Sequence, residues 1–243
     1  MANKSPLTKE TNDFAQILPH LINERNPTMT TYSEQTVKCR LCNHSQTVYL
    51  LCSYSSFGAP DLDTRPAEMA RSAIMSMLQV CPECGFASFD ISKDVEKPEA
   101  VKNLLASFPE SKTMSDDFYK AGEIARQISN NHGEAFVFYL RAAWSADDED
   151  NPQKAKEMRS LALKEKMILL KSVESPAVED FLQASDIARR AEQFDVAVNL
   201  ITSLDGKEMK PFIRNLVAFE KKLIEQKDTA CHSVSEVSSS DEE

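Results

Sequence analysis

Two C-x2-C pairs, Cys39 with Cys42 and Cys81 with Cys84, stand 38 residues apart in a chain of 243. Two residues between cysteines let both thiolates and the intervening amides wrap one tetrahedral ion, and two such knuckles supply the four ligands that zinc prefers. The residues after the second cysteines, Asn43 and Gly85, are the types that most readily enter the left-handed backbone conformation a tight knuckle requires. The expectation is one structural zinc ion held by Cys39, Cys42, Cys81 and Cys84, in a small ribbon-like or treble-stranded module. Four thiolates close the coordination shell and leave no position for water or substrate, so the metal is read as non-catalytic. Iron is the alternative metal. Disulfide pairing is disfavoured, because the opening MANKSPLTKETNDF lacks the apolar stretch of a secretory signal; a reducing, cytoplasmic setting is expected instead.

The segments around the knuckles read as mixed structure. TVKC and Thr47 to Tyr54 are rich in β-branched and aromatic residues and suit short strands, whereas Ser55 to Asp63, with Gly58 and Pro60, suits a loop. Pro66 is placed to open a helix reaching Leu78, with Met69/Ala70, Ala73/Ile74 and Met77/Leu78 forming one apolar stripe. After Gly85, FASFDI alternates as a strand. Only 5 glycines occur in the chain, and Ala, Leu, Glu and Lys dominate beyond Lys93; helices are expected over about 97 to 107, 115 to 130, 133 to 146, 152 to 172, 177 to 191, 194 to 204 and 209 to 227. AGEIAR from Ala121 recurs as ASDIAR from Ala184, 63 residues on. That is near two units of the roughly 34-residue tetratricopeptide period.

The resulting fold class is α+β. Residues 1 to 30 form an arm or docking helix carrying Phe14, Ile17, Leu18 and Leu21; 31 to 94 form the zinc-ribbon-like domain; 95 to 228 form an all-α, tetratricopeptide-like domain of helical hairpins; 229 to 243 form a disordered acidic tail. DDED at Asp147 to Asp150 reads as a solvated turn.

Other candidates are weaker. Asp61, Asp63 and Arg65, beside the metal, could recognise a polar ligand or partner, although capping of the following helix is the plainer role. Cys231 and His232 are adjacent, so their side chains diverge; a helix-end feature outweighs a catalytic dyad. His44 suits support of the thiolates, Cys52 an inert core position, His132 a surface turn, and Trp144 a core position. No catalytic residue is assigned, because glycine-rich phosphate loops, G-x-S-x-G and H-E-x-x-H are missing from the sequence.

CRLCN, DLDTRP, RSAIMSMLQVCPECGFASFDIS and AGEIARQISNNHGEAFVFYLRAAW together resemble a bacterial family of uncharacterised proteins. In that family a two-knuckle, zinc-ribbon-like segment with a D-x-R-P element precedes tetratricopeptide-like helices. The resemblance covers most of residues 36 to 226 and implies metal binding by the same four cysteines, but it carries no activity. A formal charge of -10 disfavours phosphate backbones and anionic lipid, and residues 30 to 93 are near charge balance. No apolar run reaches the roughly 20 residues of a membrane span. The expected role is a zinc-binding scaffold with a protein partner and no activity as an enzyme; the alternatives are a nucleic-acid-associated zinc protein and a thiol-based redox sensor or enzyme. Oligomeric state has no sequence signal.

Overall fold

The computed structural model describes residues 30–237. A hairpin of β1 (Thr31–Lys38) and β2 (Ser45–Ser53) opens it, antiparallel and in register from Tyr32 opposite Leu51 to Lys38 opposite Ser45. Helix α1 (Ala70–Met75) follows, then a second small hairpin of β3 (Gln79–Val80) and β4 (Ala87–Ser88). Seven helices complete the body: α2 (Pro98–Ala106), α3 (Met114–Gln127), α4 (His132–Asp148), α5 (Pro152–Ser172), α6 (Val178–Arg190), α7 (Phe194–Thr202) and α8 (Pro211–Glu225). From α3 to α7 each helix packs on the next, and α8 lies on α6 and α7. The fold is therefore mixed, with a helical body and two two-stranded sheets.

Local sequence explains the helix starts. Proline occupies the first turn of α2, α5 and α8, where its missing N–H is harmless. Asn131 and Asn151 cap α4 and α5 by accepting from Glu134 N and Lys154 N, each at 3.1 Å. Asp150, Glu192 and Lys227 take positive φ. The next N–H then reaches back to Ala146, Ala188 and Leu223 carbonyls respectively, closing the helix ends without glycine.

The AGEIAR and ASDIAR copies occupy matching places, on α3 and α6, the first helices of two hairpins. Both retain an i,i+3 ion pair, Glu123 with Arg126 and Asp186 with Arg189. Gly122 lets α3 and α4 approach: a Cβ there would stand 2.6 Å from Tyr139 Cε1.

Several expectations need correction. The helix expected from Pro66 is confined to Ala70–Met75, because Met69 takes positive φ and interrupts it. The strand expected over FASFDI is reduced to Ala87–Ser88. Cys52 is exposed rather than a core residue. The boundary at 94/95 does not divide the packing: Val101 and Ile124 join the core around Cys39 and Cys81, while Leu62, Met75 and Ala87 join the helical core. The acidic tail is anchored at its start, with Val234 buried, a single 3-10 turn at Val234–Glu236, and an isolated bridge pairing Ser233 with Asp61. Residues 238–243 of that tail, and the arm bearing Phe14, Ile17, Leu18 and Leu21, lie outside the described residues.

Candidate metal centre

The turn between β1 and β2 carries Cys39 and Cys42, and the turn between β3 and β4 carries Cys81 and Cys84. The two turns are built alike. Asn43 N donates to Cys39 O at 2.8 Å and Gly85 N to Cys81 O at 2.9 Å; Cys39 N donates to His44 O at 2.8 Å and Cys81 N to Phe86 O at 2.9 Å. Asn43 (φ 66°) and Gly85 (φ 69°) are both left-handed, as their residue types predict.

The four thiol sulphurs converge within 4.8 Å of one another. Cys42 Sγ is 3.5 Å from Cys81 Sγ, and Cys39 Sγ is 3.8 Å from Cys84 Sγ. A Zn–S bond of about 2.3 Å implies a tetrahedral edge of about 3.8 Å, so the spacing fits a four-thiolate ion. Burial pushes the thiols of Cys39 and Cys84 up. Cys81 is also opposed by burial, yet it is lowered by the N–H groups of Cys84 and Glu83 and by the neighbouring thiols. Sulphurs this close cannot all ionise without a cation among them.

Asp61, Asp63 and Arg65 sit elsewhere and face inward, with relative exposures of 6%, 0% and 4%. Asp63 Oδ2 accepts from Trp144 Nε1 at 2.9 Å and from Arg190 Nη1 at 2.8 Å, with Arg159 Nη2 at 3.7 Å. Its Oδ1 accepts from Arg65 N at 3.1 Å. Burial works against this carboxylate, but Arg190 and Arg159 hold it below the usual range. Arg65 pairs with Asp148 at 2.5 Å, and Asp61 with Arg71 at 2.8 Å. Gln183 Nε2 donates to Asp63 O and to Thr64 Oγ1. The polar groups expected to recognise an outside ligand are thus engaged with the helical body, and DLDTRP is the clasp that holds the hairpins to α4, α5 and α6.

The acidic run is correspondingly not a free turn. Asp147 pairs with Arg159 and with Arg190, the latter at 3.0 Å, and Asp148 receives Arg65. Trp144, Arg159 and Arg190 were missed as clasp residues. The RR at Arg189–Arg190, at the end of a helix that otherwise repeats AGEIAR, was the available signal.

The remaining candidates fall into structural roles. His44 contributes its backbone carbonyl to the first knuckle. Rather than standing free at the surface, His132 pairs through Nδ1 with Glu165 at 2.6 Å. His232 sits between Asp228 and Glu236, at 3.1 and 2.7 Å, and edge-on to Phe219. Burial pushes the Cys231 thiol up to about 12, and Asp61 accepts its hydrogen bond. A further buried cluster joins Arg189 to Asp186 and Glu220, with Arg189 Nη1 donating to the Asp228 and Ala230 carbonyls. Among the described residues no helix is long and apolar enough to cross a membrane. No family model, no curated protein and no solved structure matches the chain.

Proposed function

We propose that this chain is a non-catalytic, zinc-binding scaffold for a protein partner, working in a reducing, cytoplasmic setting. The carrying observation is the convergence of four thiol sulphurs within 4.8 Å on two matched turns. Four thiolates fill the coordination shell of zinc and leave it no open position for chemistry. On this reading β1–β2 and β3–β4 are a zinc-ribbon-like module, and the α3–α4 and α6–α7 hairpins are tetratricopeptide-like. The repeat of AGEIAR as ASDIAR supports the second assignment, and the resemblance to the bacterial two-knuckle family supports the pairing of the modules.

A site for the partner is available between α3 and α5. There a groove of about 770 Å³ is lined by Phe108, Tyr119 and Leu161, with lysines such as Lys120 and Lys164 and the carboxylates Asp116 and Glu157, a mixed surface on which a partner segment can lie. The thiol-redox alternative is opposed by Cys231: working thiols are low in pKa, and this one, although the residue is exposed, is raised by desolvation and by its hydrogen bond to Asp61.

Elemental analysis of the purified protein tests the reading. One zinc per chain is expected, lost in both Cys39→Ser and Cys84→Ser. Iron, absence of metal in freshly prepared protein, or salt-dependent binding of generic RNA or DNA would each overturn it.

A further inference from the structure

A second groove lies on the hairpin side, away from the metal and independent of its identity. Leu51, Cys52, Ser53 and Tyr54 from the end of β2 form one wall, Ile74 and Met77 from α1 and the turn after it form the other, and Arg141 of α4 reaches in; the cavity volume is about 550 Å³. Two of its lining side chains are large and exposed, Tyr54 at 49% and Met77 at 40%.

Two observations choose the occupant. First, β1 begins at Thr31 opposite Ser53, with Tyr32 opposite Leu51, so the chain preceding β1 is delivered to this groove. Leu21 is 9 residues before Thr30, a span of at most about 30 Å when extended. Secondly, Arg141 has no carboxylate partner among the described residues. Its guanidinium donates to Ile74 O at 3.3 Å and lies 4.8 Å from the Phe89 ring centre. Burial drives its pKa down to about 10, and a carboxylate arriving in the groove would relieve that desolvated charge. The preceding segment carries Glu10 and Asp13 immediately before Phe14, Ile17, Leu18 and Leu21.

We propose that the groove between β2 and α1 is the docking site of the chain's own N-terminal segment, with Phe14, Ile17 and Leu18 on the apolar walls and Asp13 against Arg141. Tethering through a short linker gives the segment an effective concentration on the order of millimolar, so an intrinsic affinity near 0.1 mM suffices for about tenfold protection.

Cys52 lines the groove and is exposed, which makes it the reporter. Alkylation of the full-length protein with iodoacetamide, followed at Cys52 by peptide mass spectrometry, is expected to accelerate about tenfold in the double variant Phe14→Asp, Leu18→Asp. These changes lie outside the described core. A photo-crosslinker placed at position 14 is expected to attach within 51–54 or 74–77. Equal alkylation rates, crosslinks confined to other segments, or protection that vanishes on dilution and so reports a second copy, would each overturn the proposal.

Discussion

Asp63 makes side-chain contacts far along the chain, to Trp144 and Arg190, 81 and 127 residues away. Removing one member of a buried ion pair leaves its partners uncompensated and costs about 3–5 kcal/mol. Asp63→Ala is therefore expected to lower stability by that order, measured by urea unfolding. The emission of Trp144, the single tryptophan, is expected to change in the folded state, because its indole N–H loses its acceptor. Since the Asp63 carboxyl is held below its ordinary value, its contribution is present above the unfolded pKa and is lost as pH falls through the folded one. The sequence marked Asp63 as a residue of interest but not its partners, since no local spacing relates a loop carboxylate to arginines on helices more than 90 residues away. The four cysteines were legible for the opposite reason: each pair is a local turn, and its geometry follows from two intervening residues and a left-handed Asn43 or Gly85.

At the scale of elements, α6 and α8 are joined by two carboxylates, Asp186 and Glu220, sharing the single cation Arg189. Burial, together with Asp186, pushes Glu220 up to about 8, while Arg189 and Ser185 oppose the rise. Arg190 and Asp63 also act on Asp186, and the Asp228 carboxylate on Arg189. A raised acid binds its proton more tightly when folded, so this stabilisation is complete below about 4.5 and is lost as pH rises to about 8. Glu220→Gln is expected to flatten that decline, read as the difference between the two proteins' urea midpoints across the interval. The elements themselves were largely legible, because Pro98, Pro152 and Pro211 mark helix starts and apolar residues recur at helical spacing. The segment after Pro66 misled because Met69 adopts positive φ, a conformation that methionine does not advertise.

Over the whole molecule, the hydrophobic packing ignores the boundary that composition suggested. Val101 on α2 and Ile124 on α3 pack in the cysteine core, while Leu62, Met75 and Ala87 pack with the helices. Metal removal is therefore expected to reach beyond the hairpins. Chelation should raise hydrogen exchange in β1 to β4, in α2 and on the Ile124 face of α3, while leaving α6 to α8 protected. Exchange confined to residues 31–94 would contradict this coupling. The clasp also joins distant parts of the chain: Leu62 N donates to His232 O at 2.9 Å, and Val234 N to Pro60 O at 2.9 Å. Ribosomes add about 5–20 residues per second. The loop around Leu62 consequently waits on the order of ten seconds or more after its own synthesis for the strand that completes it. During translation its amide and carbonyl edge is open to any other nascent or finished chain, so expression temperature and elongation rate become determinants of how much protein reaches this fold.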